Sequence, residues 1–234
     1  MSSTISFSDA NRGFQAGTIH GPVNTTFQIP LERPETPPRP SAVVPFDRDT
    51  DFVEREIFDQ IQAKCTAPGS RTALVGLGGV GKSQIAIELA YRLRERSPET
   101  WVFWVHASNA ARFEQSYRDI ANCVKVPGRQ NPKADIFQLV HDWLQDEGKG
   151  IWFLILDNVD DAGFLLKAQS AGRDGEMSCI KGRSLQPLIS YVPRRQNGLV
   201  LITTRSRNAA LRLVEQRSII AVEPMEKRDA LALL

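Results

Sequence analysis

The sequence contains little cysteine, little histidine and no long apolar run. The three cysteines and three histidines are scattered along the chain: Cys65, Cys123, Cys179, His20, His106 and His141. Their spacing suits neither a zinc site nor a disulfide framework, and this usage is typical of a reducing compartment. No apolar stretch approaches the roughly 20 residues of a membrane-spanning helix, and no signal-peptide pattern is present. We therefore expect a cytoplasmic protein without a membrane partner.

The sequence also lacks an excess of charge of either sign. Its 234 residues carry 29 Lys and Arg against 27 Asp and Glu, which gives a formal net charge of +2. Near neutrality does not favour nucleic acid as a partner, and no helix-turn-helix pattern or basic stripe is present. The hydrophobic content of 41% is that of a globular protein. The length fits one α/β domain and an appendage.

Composition divides the chain into four segments. Residues 1–29 are rich in Ser, Thr, Asn, Gly and Gln, which predicts a tail that is disordered or similar to an amyloid motif. Residues 30–45 hold six of the 14 prolines, which indicates a semi-rigid linker. Residues 46–222 form the folded domain. Residues 223–234 include the start of a further helix at Lys227–Leu234, so we expect either a truncated helical subdomain or a naturally short chain.

Within the folded domain, apolar strands alternate with amphipathic helices. The predicted strands are Thr72–Gly76, Trp101–Val105, Ile151–Leu156, Leu199–Thr203 and Ile219–Val222. The predicted helices are Asp51–Lys64, Gly81–Arg96, Ala111–Val124, Asp135–Gln145, Leu185–Tyr191 and Ala209–Glu215. Such alternation predicts an α/β fold with a five-stranded parallel sheet and helices on both faces.

A glycine-rich segment follows the first predicted strand. Its sequence, Gly76-Leu-Gly-Gly-Val-Gly-Lys-Ser83, fits the pattern G-x-x-x-x-G-K-[ST] of a P-loop. Glycine lets the backbone N–H groups wrap a phosphate, the lysine adds charge near the β- and γ-phosphates, and the serine hydroxyl suits Mg²⁺. The alternative is a glycine-rich turn beside a chance lysine. The residues expected to bind the nucleotide here are Gly78, Gly79, Val80, Gly81, Lys82, Ser83 and Gln84.

Acidic residues follow the third predicted strand. Asp157 ends the apolar run Phe153–Leu156, where a carboxylate can hold Mg²⁺ together with Ser83 and assist hydrolysis. The alternative for Asp157 is the cap of a turn after a buried strand. Asp160 or Asp161 could orient an attacking water as a general base, or could cap a helix that begins before Phe164. We take Asp157 and Asp160 as the candidate catalytic residues.

An arginine follows the fourth predicted strand. In Thr203-Thr204-Arg205, Arg205 comes directly after the strand, and ligands of open parallel sheets bind at the carboxyl ends of the strands. A guanidinium placed there can pair with a terminal phosphate and report its presence. The alternative is an arginine exposed to solvent without such a role.

Three motifs together resemble a known family. GLGGVGKS, FLILDNVDD and LITTRSR look like those of STAND-class P-loop NTPases of the NB-ARC/NACHT group, and the layout of Phe46–Leu234 is similar to fungal NLR-like proteins. The resemblance implies strand order 5-1-4-3-2, ADP or ATP with Mg²⁺ as the ligand, and Arg205 as the sensor. It also implies that Phe52, Val53 and Arg55, from the segment Phe-Val-Glu-Arg, line an adenine pocket.

The chain departs from the family pattern in two ways. Asn158 stands where NB-ARC proteins commonly carry a second acid, and an amide cannot accept a proton as a base. Asp160 sits where NACHT-type members often place an acid, so the resemblance implies slow hydrolysis. The helical subdomain barely begins and no winged helix follows, so we expect weak nucleotide binding by the chain alone.

The resemblance leaves more than one function open. The first is a switch, in which exchange of ADP for ATP controls homo-oligomerisation and signalling to an effector protein. The segment Phe7–Asn24 is similar to the short amyloid motifs of fungal NLR-like proteins, which template an effector. The alternative for this segment is a disordered tail with no such role. The alternative function for the domain is a slow ATPase that acts by turnover.

Overall fold

The computed structural model describes residues 35–36, 38–65, 67–167 and 186–225. The chain divides into two units, Met1–Thr36 and Pro37–Leu234, and every described helix and strand belongs to the second. The predictions for Phe7–Asn24 and for Lys227–Leu234 lie outside the described residues.

A six-stranded parallel sheet runs through the domain. Its strands are β1 (Ala42–Val43), β2 (Arg71–Val75), β3 (Trp101–His106), β4 (Trp152–Asp157), β5 (Gly198–Thr204) and β6 (Ile219–Ala221). The spatial order is β1-β3-β4-β5-β2-β6, and every pairing is parallel. All six residues of β4 are buried, because helices cover both faces of the sheet.

In the described ranges, six α-helices connect or follow the strands. They are α1 (Ile57–Cys65), α2 (Lys82–Arg96), α3 (Ala110–Cys123), α4 (Ile136–Gln145), α5 (Gly163–Leu166) and α6 (Arg207–Leu213). Polar side chains cap three of their N-termini by accepting main-chain N–H groups: Asn109 for α3, Asp135 for α4 and Ser206 for α6. Among the described helices, none has the length and hydropathy needed to cross a membrane.

The strands alternate their side chains between two hydrophobic clusters. On one face, Phe103 and Leu154 pack with residues of α3, α4 and α6. On the other face, Trp104 and Ile155 pack with residues of α1 and α2. Because successive residues of a strand point to opposite sides, one apolar strand serves both clusters. The sheet is therefore held from both sides, and its carboxyl edge has a fixed geometry.

The predicted fold class is confirmed, and one strand is added to it. The five predicted strands occupy the order β6-β2-β5-β4-β3, which is the order 5-1-4-3-2. The sixth strand, β1, pairs with β3 at the edge through Ala42 and Val102. It lies within the range that the sequence assigns to a proline-rich linker. Two residues are too few to give a period-2 signal, which explains why the sequence analysis missed this strand.

Two helix predictions are wrong in part. Helix α1 begins at Ile57 rather than at Asp51, because the side chains of the preceding segment make contacts elsewhere. Glu54 pairs with Arg92 of α2, and Arg55 donates to the Val80 carbonyl. The predicted helix Leu185–Tyr191 is a 3₁₀ turn over Leu188–Tyr191 in its described part.

Candidate nucleotide-binding site

The glycine-rich loop connects the end of β2 to the start of α2. Gly79 and Gly81 have φ of 83° and 88°, in the left-handed region that glycine adopts readily. Gly76 is needed for a different reason, because a Cβ at this position would overlap the main-chain oxygen of Val222. The loop is therefore shaped both by its own backbone and by the chain that follows β6.

Lys82 folds over the loop that precedes it. Its side chain is only 9% exposed, and Nζ donates to the carbonyls of Gly76 at 2.9 Å and Leu77 at 2.7 Å. Burial lowers the pKa of Lys82; the charge of Arg205 adds to this effect, while those of Asp160 and Asp157 oppose it. The ammonium group thus lies beside the loop carbonyls, among the charges of the site.

Ser83 and Asp157 are brought together by the sheet. The hydroxyl of Ser83 donates to Asp157 Oδ1 at 2.8 Å. The same carboxylate oxygen accepts a hydrogen bond from Thr203 Oγ1 at 2.6 Å, and Thr203 Oγ1 accepts the N–H of Asn158 at 2.9 Å. Asp157 is 9% exposed, so these bonds hold a buried carboxylate in one orientation.

The donor atoms of this pair fit Mg²⁺. Magnesium prefers oxygen ligands and is usually held by one or two carboxylates together with waters and phosphates of the substrate. Ser83 Oγ and Asp157 Oδ1 supply two such oxygens side by side. No cluster of three or more acidic, histidine or cysteine side chains that could hold a metal occurs in the described part of the chain. A metal at Ser83 and Asp157 would therefore take its further ligands from water and phosphate oxygens.

Asp160 and Arg205 form an ion pair at the same edge of the sheet. Asp160 Oδ1 accepts the main-chain N–H of Arg205 at 2.7 Å, and Oδ2 lies 2.5 Å from both Nε and Nη2 of the guanidinium. Burial alone would raise the pKa of Asp160, but the bonds from Arg205 and nearby positive charge hold it below its usual value. Asp161 accepts the N–H of Gly163 instead, so it stabilises the turn into α5.

A cavity of about 540 Å³ borders the glycine loop. The predicted binding residues that line it are Phe52, Val53, Arg55, Gly78, Gly79, Val80, Gly81 and Gln84. Asp49, Leu77, Ile85, Pro224 and Met225 line it as well, although the sequence analysis did not single them out. The lining is mostly apolar and the volume is within the range of ligand pockets.

The wall that contains Phe52 and Val53 is tied to α2 and to the loop. Arg55 donates to the carbonyls of Val80 at 3.1 Å and Glu223 at 2.6 Å. Arg48 binds Glu88 of α2 through both carboxylate oxygens, at 2.9 and 2.8 Å. Glu88 is only 3% exposed, and its hydrogen bonds from Arg48 and then Arg92 lower its pKa despite the effect of burial. Neither contact gives a signal in the sequence, because the partners are far apart in the chain.

The structure thus arranges the predicted residues in two groups. The charged and hydroxyl-bearing residues lie at the carboxyl edge of the sheet: Lys82, Ser83, Asp157, Asp160 and Arg205. The remaining residues line the cavity. Thr203 joins the first group through its hydrogen bond to Asp157. The sequence analysis assigned it no role, although it lies in the Thr203-Thr204-Arg205 motif. Asn158 adopts a positive φ of 63° as the chain turns away from β4.

Comparison with known proteins gives one sequence relative and several structural neighbours. No protein-family model matches the chain. A nucleotide-binding leucine-rich repeat (NLR)-like protein of Hyaloscypha variabilis is 35% identical over 197 residues, which is 82% of this chain and 19% of that protein. The chain therefore spans about a fifth of the length of this relative.

The structural neighbours include two solved structures of low sequence identity to this chain. Cdc6p from Pyrobaculum aerophilum has a TM-score of 0.46 at 15% identity. The match covers 79% of this chain and 52% of the Cdc6p chain. The Walker-type ATPase of Pyrococcus abyssi has a TM-score of 0.45 at 16% identity, over 82% of this chain and 59% of its own.

The glycine loop follows the first long strand of a parallel sheet that has helices on both faces. This arrangement defines a P-loop NTPase domain. Over 82% of its residues, this chain is similar in sequence to the NLR-like protein of Hyaloscypha variabilis.

Proposed function

We propose that the chain is the ADP/ATP-binding switch domain of an NLR-like signalling protein of the STAND class, with an NB-ARC or NACHT arrangement. The observation that carries the proposal is the 2.8 Å hydrogen bond between Ser83 and Asp157, directly beside Lys82 of the glycine loop. These are the groups that a phosphate and its Mg²⁺ require, at the edge of the sheet where such ligands bind. The relative of 35% identity supports the NLR-like context.

In this proposal the nucleotide spans both groups of residues. The loop N–H groups and Lys82 bind the phosphates, and Ser83 with Asp157 holds Mg²⁺. The metal would neutralise phosphate charge and fix the orientation of the phosphate chain. The base occupies the cavity against Phe52 and Val53, whose apolar side chains suit a purine.

The ion pair between Arg205 and Asp160 supplies a means of telling ATP from ADP. A γ-phosphate at the loop would compete with the Asp160 carboxylate for the guanidinium of Arg205. Arg205 lies next to the loop, since a Cβ on Gly78 would be 3.7 Å from Arg205 Cδ. ATP therefore favours release of Asp160, whereas ADP leaves the ion pair in place. This difference in contacts is what a nucleotide-dependent switch needs.

Hydrolysis by such a site is expected to be slow. Asn158 cannot act as a base, and without ATP both oxygens of Asp160 accept hydrogen bonds from Arg205. Asp157 and Asp160 remain the candidate catalytic residues, but Asp160 would be available as a base only while the γ-phosphate holds Arg205 away from it. A kcat of about 1 s⁻¹ or above would favour the alternative function, an ATPase that acts by turnover.

The proposal extends to the partners of the whole protein. ATP binding in the cytoplasm would favour homo-oligomerisation, and the segment before the domain would then address an effector protein. The polar, Gly-spaced composition of residues 7–24 supports this role for the tail.

The test compares the two nucleotide states. The chain is saturated with Mg²⁺ and either ADP or a non-hydrolysable ATP analogue, and its mass is followed by light scattering after size-exclusion chromatography. We expect both nucleotides to bind and the assembly state to differ between them. The Lys82→Ala chain serves as the control, since at the same nucleotide concentration it should bind less nucleotide and show a smaller difference in assembly. Binding without any difference in assembly would contradict the switch, and absence of binding would contradict the whole proposal.

A further inference from the structure

A second cavity, of about 400 Å³, lies near the amino-terminal edge of the sheet. Three arginines line it: Arg71, which is the first residue of β2, Arg194, which precedes β5, and Arg212 of α6. His141 of α4 and Ser190 contribute further polar groups. No Asp or Glu lines this cavity among the residues that the structure describes. The glycine loop follows β2 at its other end, and Gly76 is about 16 Å from Arg71 at about 3.3 Å per residue.

The environment of Arg71 is unfavourable for a positive charge. Its Nε is buried and has no hydrogen-bond partner in the described ranges, while Nη2 donates to the main-chain oxygen of Val192. Burial and the nearby charge of Arg194 lower the pKa of Arg71 to about 10. A buried cation normally has a counter-ion, because its desolvation is costly. Here the charged side chains that line the cavity with Arg71 are Arg194 and Arg212, and both are cations.

Four arginines elsewhere in the domain have the carboxylate partners that this cluster lacks. Arg48, Arg92, Arg118 and Arg205 each lie within 2.5 to 2.8 Å of a carboxylate. Arg71, Arg194 and Arg212 form no ion pair with a described acidic residue. The absence of acids from this cavity does not follow from a shortage of acids, which nearly balance the basic residues over the chain.

An adjoining cavity extends the same basic surface. It is lined by Arg71 and Arg194 again, and by Lys64 and Arg217. Glu215 lies there too, but its Oε2 is paired with Arg217 Nε at 2.7 Å. Arg71 and Arg194 thus line both cavities. Arg212 adds a further basic side chain in the first cavity, and Lys64 and Arg217 do so in the second.

We propose that the cavity of Arg71, Arg194 and Arg212 binds a small anion that carries phosphate, at a site separate from the glycine loop. Guanidinium groups match phosphate oxygens through paired N–H donors, and three of them converge here on a space large enough for a phosphorylated small molecule. A bound anion would supply the missing counter-charge for Arg71. The inference does not depend on the switch function.

A small anion suits this surface better than nucleic acid. The arginines line one concave site instead of forming a stripe, and the net charge of the chain is only +2. Binding of a nucleic acid would require a longer positive track along the backbone.

The experiment uses inorganic pyrophosphate as the probe, titrated calorimetrically into the Lys82→Ala chain in the absence of Mg²⁺. The Lys82 substitution weakens the glycine loop as a competing phosphate site. The variant Arg194→Gln/Arg212→Gln is compared in the same background; both residues are exposed, so the substitutions leave the core intact. Arg118→Gln removes one exposed arginine from α3, away from the cavity, and is the control.

We expect pyrophosphate to bind the Lys82→Ala chain, and its affinity to fall by roughly tenfold or more in the double variant, because charge-assisted hydrogen bonds are lost. The Arg118→Gln control should keep the affinity. No binding to the Lys82→Ala chain, or equal binding by the double variant, would overturn the inference, as would tighter binding of an oligonucleotide than of pyrophosphate at the same arginines. ADP affinity measured with Lys82 intact tests the proposed function separately, and the double variant should retain it.

Discussion

Ser83 Oγ donates a hydrogen bond to Asp157 Oδ1 across 2.8 Å, although 74 positions separate the two residues in the chain. The contact follows from the parallel sheet. The glycine loop leaves the carboxyl end of β2, Asp157 ends β4, and β5 lies between the two strands. Parallel strands end at the same edge, so residues after them converge whatever their separation in sequence. Thr203, at the end of β5, completes the contact by binding the same carboxylate oxygen.

We predict that Asp157→Asn removes the dependence of nucleotide affinity on Mg²⁺. The substitution keeps the shape of the side chain but loses the charge that suits the metal. ADP should bind the native chain several-fold more tightly with Mg²⁺ than with a chelator, and about equally in the two conditions for the variant, as measured by titration of a fluorescent ADP analogue. Asp161→Asn is the control, because that residue only stabilises a turn. Retained Mg²⁺ dependence in Asp157→Asn would rule out the metal role.

Lys82→Ala should weaken ADP binding by roughly tenfold to a hundredfold. The ammonium group is placed beside the loop, and hydrogen bonds to charged groups are worth about 1.5–3 kcal/mol. Lys133→Ala removes an exposed lysine from a loop and should leave the affinity unchanged. If both variants bind ADP as the native chain does, the glycine loop is not the phosphate site.

Gly76→Ala should destabilise the fold, whereas Gly78→Ala should not. A methyl group at position 76 would overlap the main-chain oxygen of Val222, so the chain after β6 must move, at a cost of about 1–3 kcal/mol. At position 78 the same methyl group would meet Arg205 Cδ at 3.7 Å, which is ordinary contact. Urea unfolding of the two variants provides the comparison. Equal stability would mean that β6 does not approach the loop as closely as the structure indicates.

The five strands and the position of the glycine loop could be predicted because their signals are local. A strand, a glycine pattern and a helix in succession identify the loop without knowledge of the fold. The apolar run before Asp157 and the strand before Arg205 likewise place those residues at one edge. The order of the five strands came from the resemblance and not from the spacing of residues.

The rest depends on contacts between distant parts of the chain. Arg48 and Glu88 are 40 positions apart, and nothing in either local sequence indicates that the arginine pairs with this buried carboxylate. For the same reason the helix α1 was predicted to begin too early, because Glu54 and Arg55 are drawn into tertiary contacts. Tertiary contacts override local propensity in this segment. The basic cavity could not be predicted either, since Arg71, Arg194 and Arg212 come from three separate elements.

Asp160→Asn should reduce stability near neutral pH but not in acid. The pKa of Asp160 is held below its ordinary value of 3.8 by Arg205, so the ion pair contributes stability above that pH and loses it as pH falls through the lowered pKa. Arg205 is 62% exposed in its side chain, so solvent limits the contribution to less than about 1 kcal/mol. Unfolding in urea at about pH 7 and about pH 3 measures the difference between native and variant chains. A difference that grows in acid would contradict the ion pair.

The contact between Arg48 and Glu88 gives a prediction about the base side of the site. Arg48→Ala removes the two bonds to Glu88 and the one to Glu95 that hold the segment before Phe52 against α2, while the glycine loop keeps its own contacts. Affinity for ADP should fall by roughly threefold to tenfold, because a less ordered wall must be fixed when the base binds. The ability of pyrophosphate to displace a fluorescent ADP analogue from the loop, corrected for the weaker analogue binding, should stay the same, since pyrophosphate has no base. Arg118→Ala, which breaks an ion pair on α3, is the matched control. An equal loss for ADP and pyrophosphate would show that Arg48 supports the loop or the whole fold. The variant would then give no evidence that the cavity beside Phe52 and Val53 binds the base.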